Sequence, residues 1–419
     1  MNTLSAIFKA RLKGGALYIA IIAGIVIGII LIFFILLAKY NLRTVTTLSM
    51  NVQLAQNLKN GIEIAKSDYF SETQNGNWRK NTFNDDSISI SRKGWGAFLL
   101  VTVRTKNRRH SMSYSGLYGT TLGADTGLLV ADNSRPVGFS GNIILKANCY
   151  LPKAGIKPAY IEGQSYNGAS QNSAFIKASP GDIPEANEVF RNSVRMQLGI
   201  SRSYDDDSIV SNLPLSLMHS FSAKTIVVNS GRTLAHVSLK GNIRIMSGEL
   251  LVDSSAHLED VLIVCEKIKF GKGFRGTVHV VARDSITAGE DCRFSYPSSF
   301  VLAAENDESS LKCVQFGNDC VFSGAVIALN VSTGGTGKVF VKLNGKSEVN
   351  GFIYSRDYMH VEGKLNASVI CSKLLLKTPS AVYENHLLGC EIDPKKYAGI
   401  IGAPVIFKRT GNVVCCKAL

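Results

Sequence analysis

The sequence predicts a mainly β protein, with an N-terminal transmembrane helix continuing into an amphipathic helix, then a β-rich region and a C-terminal parallel β-helix. Three observations carry that expectation. Ala16 to Ala38 runs 23 residues without a charge. A short apolar-x-Gly/Ala-x-apolar pattern recurs at steps of 16 to 19 residues after Leu234. Glycine outnumbers proline 38 to 10, which favours glycine corners between many short elements. With 419 residues, 45% hydrophobic and 19% charged, the chain is long enough to bury a core and too apolar for a disordered solvating protein.

As a helix, residues 16–38 rise about 35 Å and cross a hydrocarbon layer of about 30 Å. A cleavable secretory signal has a shorter apolar core, about 7–15 residues, and a small-x-small site that Leu36-Leu37-Ala38 does not supply. Lys9, Arg11 and Lys13 precede the span with no acidic residue among them, and only Lys39 and Arg43 follow closely. The charge bias places residues 1–15 in the cytoplasm as a basic leader. The bulk is then expected on the periplasmic or extracellular side of a single-pass, signal-anchor helix in the cytoplasmic membrane. Ala20, Gly24 and Gly28 put small side chains on one face of the span, a candidate helix-packing surface. Beyond it, Val45, Leu48, Val52, Ala55, Leu58, Ile62 and Ala65 follow at spacings of three and four. That stripe predicts an unbroken amphipathic stalk over residues 39–70, lying against a soluble domain or a partner helix.

These residues resemble the N-terminus of a type IV pilin or minor pseudopilin: a short basic leader, Lys13-Gly14-Gly15 before the apolar run, and an unbroken helix with an amphipathic second half. The resemblance implies cleavage by a prepilin peptidase after Gly14 or Gly15, and helices packed side by side in a pilus or secretion apparatus. The glutamate usual at the fifth mature position is replaced here by Ile19 or Ala20, depending on the cut.

Residues 71–223 read as short strands broken by Gly, Asn, Asp and Ser. Ser87 to Ser91 alternates, Trp95 to Val103 reads as a stronger strand, and Pro184 to Leu198 reads as a short helix with Glu185 and Glu188 near its start and Arg195 near its end. The net charge is +14, and the densest basic cluster is Arg104, Lys106, Arg108 and Arg109. A polyanion such as a lipid headgroup surface, an acidic glycan or nucleic acid suits that balance. No stacking aromatics are interleaved with the cluster, so a solvated basic surface is the reading preferred to nucleic-acid binding. Asp205, Asp206 and Asp207 lack the spacing of a calcium loop and read as a solvated turn.

Residues 224–390 carry the repeat: Leu239–Ile243, Leu258–Leu262, Phe274–Val278, Val321–Val326, Val349–Ile353, Leu365–Val369 and a looser Val382–Leu387. Two polar interruptions, Glu305–Ser310 and Ser332–Gly337, read as loops inserted into a regular stack. The period is too short for a helix pair and fits one coil of a parallel β-helix, with apolar side chains stacked inward. Residues 391–419 are left as a cap or tail. The stretch Gly345 to Leu387, with Val349-Asn-Gly-Phe-Ile-Tyr354, Met359-His-Val-Glu-Gly363, Leu365-Asn-Ala-Ser-Val-Ile370 and Lys373-Leu-Leu-Leu-Lys377, resembles the bactofilins, a family of polymer-forming bacterial scaffolds. That resemblance implies a nucleotide-free, non-enzymatic structural role.

Catalytic signatures are not legible. Asp253, Asp260, Asp284 and Asp291 fall within the repeat but not at matching positions, so no carboxylate pair for glycoside hydrolysis is placed. The seven histidines show no metal spacing, and no phosphate loop, dinucleotide fingerprint or nucleophile elbow is present. The nine cysteines include no CxxC; Cys313 and Cys320 form a candidate pair, and Cys415-Cys416 is an exposed-looking doublet. The expectation is a membrane-anchored structural or assembly protein of the bacterial envelope, with no cofactor, no metal and no catalytic residue. Its partners are the lipid bilayer and, through the N-terminal helix, further copies or a pilus or secretion apparatus. The alternative is a tethered β-helix enzyme or binding module for envelope polysaccharide, and DNA binding is a third.

Overall fold

The computed structural model describes residues 3–67, 76–80, 86–121, 125–168, 175–199, 208–210, 213–305, 311–332, 337–397, 402–407 and 413–419. The protein is mainly β, with one long apolar helix at the N-terminus. Asp205, Asp206 and Asp207 lie outside the described residues, as do parts of both expected inserted loops.

Helix α1 (Thr3–Lys66) is continuous over 64 residues, about 96 Å at the standard rise. It is the one described helix long and apolar enough to cross a membrane. From Leu17 to Leu37 its large apolar side chains are exposed, which suits lipid and not water. The expected stripe is only half used. Leu58, Ile62 and Ala65 pack into a small core, but Val45, Leu48, Val52 and Ala55 face outward. The face turned to the protein runs through buried Leu54 and Gly61 instead, because the sheet it meets begins only at that level.

That sheet is antiparallel: β1 (Trp78–Lys80), β2 (Ser87–Trp95), β3 (Phe98–Lys106) and β4 (Ser111–Thr121) pair in order, and the strand Val413–Ala418 adds to the far edge of β4. The single strand expected over Trp95–Val103 is interrupted by the two-residue turn Gly96-Ala97, where Gly96 adopts φ +59°. One face of the sheet receives α1. Ala65 packs with Val101, Val103 and Tyr118, Thr105 Oγ1 donates to the Leu54 carbonyl at 3.4 Å, and Asn57 Nδ2 donates to Asp86 at 2.8 Å.

The other face covers a closed, barrel-like sheet of parallel strands. Ser238–Gly241, His257–Phe270, Arg275–Ala288, Arg293–Ala304, Val321–Asn330, Glu348–His360 and Gly363–Lys377 each pair in parallel with the next. The registers join Val228, Ile245, Ile263, Val280, Phe300, Val326, Ile353 and Val369 into one inward ladder, all fully buried. Six phenylalanines, Phe270, Phe274, Phe294, Phe300, Phe316 and Phe322, fill the middle with ring centroids 4.8–5.7 Å apart.

The stack also departs from the expected series. The copy at Phe274 is displaced, since Leu258 pairs with Gly276; Asp260, at φ +60°, bulges between Glu259 and Val261. Arg293–Ala304 is a strand of the stack that the pattern lacked, masked by a register shift between Phe294 and Ser298. Val382–Glu384 does not continue the parallel series, because it folds back antiparallel on Leu375–Lys377. The next layer comes from far earlier in the chain: Val369, Ile370 and Cys371 pair with Leu128, Leu129 and Val130, whose strand pairs in turn with Asn148–Leu151 and that with Ile176–Ala178. The strands Thr126–Val130, Asn148–Leu151 and Ile176–Ala178 therefore extend the same parallel sheet beyond its expected span.

Helix α2 (Glu188–Gln197) starts later than expected, because Asn187 in extended backbone caps it, its Oδ1 accepting from Phe190 N at 2.7 Å. Phe190 and Val194 pack it onto the outer face of the parallel strands.

Two substitutions test this packing. Phe300→Ala empties the centre of the aromatic cluster and is expected to cost about 3–5 kcal/mol in denaturant unfolding. Gly61→Leu meets Ile88 and Val103, each 2.7 Å from a Cβ placed there, and is expected to speed hydrogen exchange over 54–66 while leaving the parallel strands protected.

Candidate functional site

The strongest concentration of buried polar groups lies where the β2–β3 turn enters the surface of the parallel stack. Gly96 sits so close that a Cβ there would lie 2.1 Å from Ser299 Oγ and 2.8 Å from His279 Cβ, so only glycine fits. Ser299 Oγ accepts from Ala97 N at 3.1 Å and bonds His279 Nδ1 at 2.9 Å. Gln197 of α2 clasps the turn, accepting from Gly96 N at 2.8 Å and donating to Gly96 O at 3.1 Å, while Arg244 donates to the Gln197 carbonyl. Trp95 Nε1 donates to the Asp260 carbonyl at 2.9 Å.

Asp260 itself is the stack's buried carboxylate, 4% exposed in its side chain, and Lys417 reaches it from the C-terminal strand with Nζ 2.7 and 2.9 Å from its oxygens. Burial raises the Asp260 pKa and Lys417 opposes that rise. Burial pushes His279 down to about 3, so the imidazole is neutral at physiological pH. A Ser–His contact of this kind can serve nucleophilic catalysis when a substrate reaches it. Here Ser299 and His279 are sealed under Gly96 and Ala97. What the arrangement does is lock three layers together: the antiparallel sheet, α2 and the parallel stack.

The residues singled out by sequence fall elsewhere. Gly14 and Gly15 lie within α1, and Gly15 is exposed. Ala20 and Gly24 are exposed and Gly28 half-buried, with no atom near the Cβ positions of either glycine. Arg104 is half-buried and donates to the Ser222 carbonyl at 2.8 Å, whereas Lys106, Arg108 and Arg109 are exposed at the β3–β4 hairpin end. Lys106 Nζ rests 4.1 Å from the ring centre of Trp78, an aromatic that reading along the chain did not join to the cluster.

Of the repeat aspartates, Asp253 accepts from Ser255 N and Oγ, Asp284 pairs with Lys312 at 2.9 Å, and Asp291 turns a corner at φ +58°. Among the described residues no group of His, Cys, Asp and Glu has a metal-binding arrangement. The nine cysteines are free, and the neighbour of Cys320 is Cys292, just before the adjacent parallel strand, not Cys313. Burial pushes the thiols of Cys149, Cys265, Cys371 and Cys390 up to about 12, and Cys415 is the one exposed thiol. On the outer surface an open groove of about 360 Å³ runs past Met218, Lys240, His257, Glu259, Arg275 and Thr277. Against family models, curated proteins and solved structures, the chain has no match.

Two measurements check the lock. Because the folded His279 pKa lies below its ordinary value of about 6.5, its contribution to stability is complete above that pH and is lost as pH falls toward about 3. His279→Gln is expected to flatten the fall in unfolding free energy between those limits. Lys417→Ala leaves Asp260 buried without its cation and is expected to cost about 2 kcal/mol, largely recovered by adding Asp260→Asn.

Proposed function

We propose that the protein is a non-catalytic, membrane-anchored structural or assembly component of the bacterial cell envelope, which holds a β-helical solenoid at a fixed distance from the cytoplasmic membrane. The observation carrying this reading is the unbroken mechanical path. Helix α1 packs on β2–β4 through Ala65, Val101 and Val103, and the opposite face of that sheet packs on the parallel strands through Trp95, Phe98, Val281 and Val301. Each junction is apolar and the second is reinforced by the sealed polar lock. A tether for a diffusing enzyme needs only a flexible linker. A helix welded to its cargo suits a part whose orientation matters.

The in-register parallel strands, their inward ladder and the Gly271, Gly289 and Gly317 corners support reading the stack as a β-helix, the bactofilin-like architecture. The exposed small and apolar face of α1 supports a pilin-like role in which helices of several copies or of a secretion apparatus pack together. A second reading, a module that binds envelope polysaccharide, is favoured by the open polar groove beside His257 and Arg275.

Labelling with a membrane-impermeant maleimide tests the sidedness, because Cys415 is exposed and the remaining thiols are wholly or partly buried. The proposed topology predicts one dominant label per chain on intact cells, lost in Cys415→Ser. Labelling only after lysis would place the bulk in the cytoplasm and overturn the topology. N-terminal sequencing of the same material separates the versions: a start at Gly15 or Ala16 supports the pilin-like one, and a start at Met1 leaves a plain signal-anchor.

A further inference from the structure

The basic hairpin points back along α1 toward the membrane. Strand β3 runs antiparallel to the helix: Val103 packs at Gly61, and Thr105, two residues on, meets Leu54, seven residues nearer the span. The chain then continues in the same direction into the tip Asn107–His110, which is tied by Asn107 Oδ1 accepting from Arg109 N and His110 N at 2.9 and 2.7 Å. Lys106 flanks the tip, and Lys80 of β1 lies at the same level, since both are in register with Ser87. Trp78 is half-exposed beneath Lys106. The described carboxylate of this end, Asp86, is buried and turned to Asn57 of α1.

The distances close. Leu54 lies about 24 Å along the helix axis from Ala38, where the apolar run ends. Three strand residues beyond Thr105 bring the hairpin tip back by about 10 Å, leaving about 14 Å above the hydrocarbon. Headgroups occupy about 5–7 Å of that gap. The remainder is within the reach of an extended arginine and about one screening length at physiological ionic strength, about 8 Å.

We propose that the β3–β4 hairpin tip, through Arg108 and Arg109 with Lys106 and Lys80 beside them, docks on anionic phospholipid headgroups of the leaflet from which α1 emerges. The contact would fix the tilt of the head on its helix. Charge complementarity selects the partner, and the antiparallel course of β3 along α1 places it. The inference rests on residues 16–38 spanning the membrane.

The full chain, carrying a bimane on His110→Cys at the hairpin tip in a Cys415→Ser background and reconstituted in nanodiscs with a nitroxide on the lipid headgroup, gives the test through fluorescence quenching. The remaining native thiols are wholly or partly buried, so the change reports the tip. Quenching is expected to be about twofold stronger in phosphatidylcholine–phosphatidylglycerol discs than in phosphatidylcholine alone, to fall with added salt, and to drop to the neutral-lipid level in Arg108→Gln/Arg109→Gln. Equal quenching in both lipids, or no change in the double variant, overturns the docking. A tip that responds to duplex DNA but not to anionic lipid overturns it equally. Alkaline extraction of the same protein from native membranes reports the span separately: release into the supernatant would refute the anchor, whatever the hairpin does.

Discussion

The structure depends on one constraint: the central parallel strands must bury both of their faces. In Val261–Cys265, His279–Ala282 and Phe300–Ala304 alternate side chains point into the aromatic and aliphatic interior, while those between them, Leu262, Val264, Val281, Val301 and Ala303, point outward and are still almost wholly buried. A strand of that kind has no polar face to give to water. Something apolar must cover it, and the cover is the antiparallel sheet with α2. Once that sheet is committed on one side, its other side is free to receive helix α1.

The polar groups trapped at this junction follow from the same constraint. Two sheets cannot meet at close range without enclosing backbone and turn groups, and each must find a partner. Gln197 satisfies both sides of Gly96, Ser299 satisfies Ala97, and Trp95 reaches the carbonyl of a bulged residue. The bulge at Asp260 turns a carboxylate out of the parallel strand, where Lys417 meets it. An ion pair in such a place contributes to the choice of one docked arrangement over others rather than to bulk stability. The C-terminal strand, distant in sequence from β4, is thereby fixed to both layers.

Much of the architecture is legible in the residues. The charge-free run and the stripe through Leu58, Ile62 and Ala65 encode α1 locally, and the intervals 239 to 258 and 349 to 365 match true neighbours in the stack. Other intervals mislead for physical reasons. Phe274-Arg-Gly-Thr-Val278 fits the pattern, but Leu258 pairs with Gly276, and the Asp260 bulge then changes the register by one residue. Phe294 and Phe300 belong to one strand, but the chain bulges between them and breaks the alternation. The placement of residues 126–130 on residues 369–371 joins segments far apart in sequence, and no local periodicity encodes it. For the same reason the polar lock is invisible beforehand: His279 and Ser299 read as ordinary strand members until Gly96 arrives from another sheet. The basic cluster is legible as a cluster, but its direction relative to the helix is a tertiary fact.

The central claim is that helix, covering sheet and parallel stack move as one body. Double electron–electron resonance on the chain in nanodiscs, with spin labels replacing exposed Lys59 on α1 and exposed Lys373 on the stack in a Cys415→Ser background, measures this directly. A rigid path predicts a single narrow distance distribution, unchanged between detergent and bilayer. A broad or multimodal distribution would mean that the helix is a loose tether, and the account of an oriented, membrane-held stack would fail.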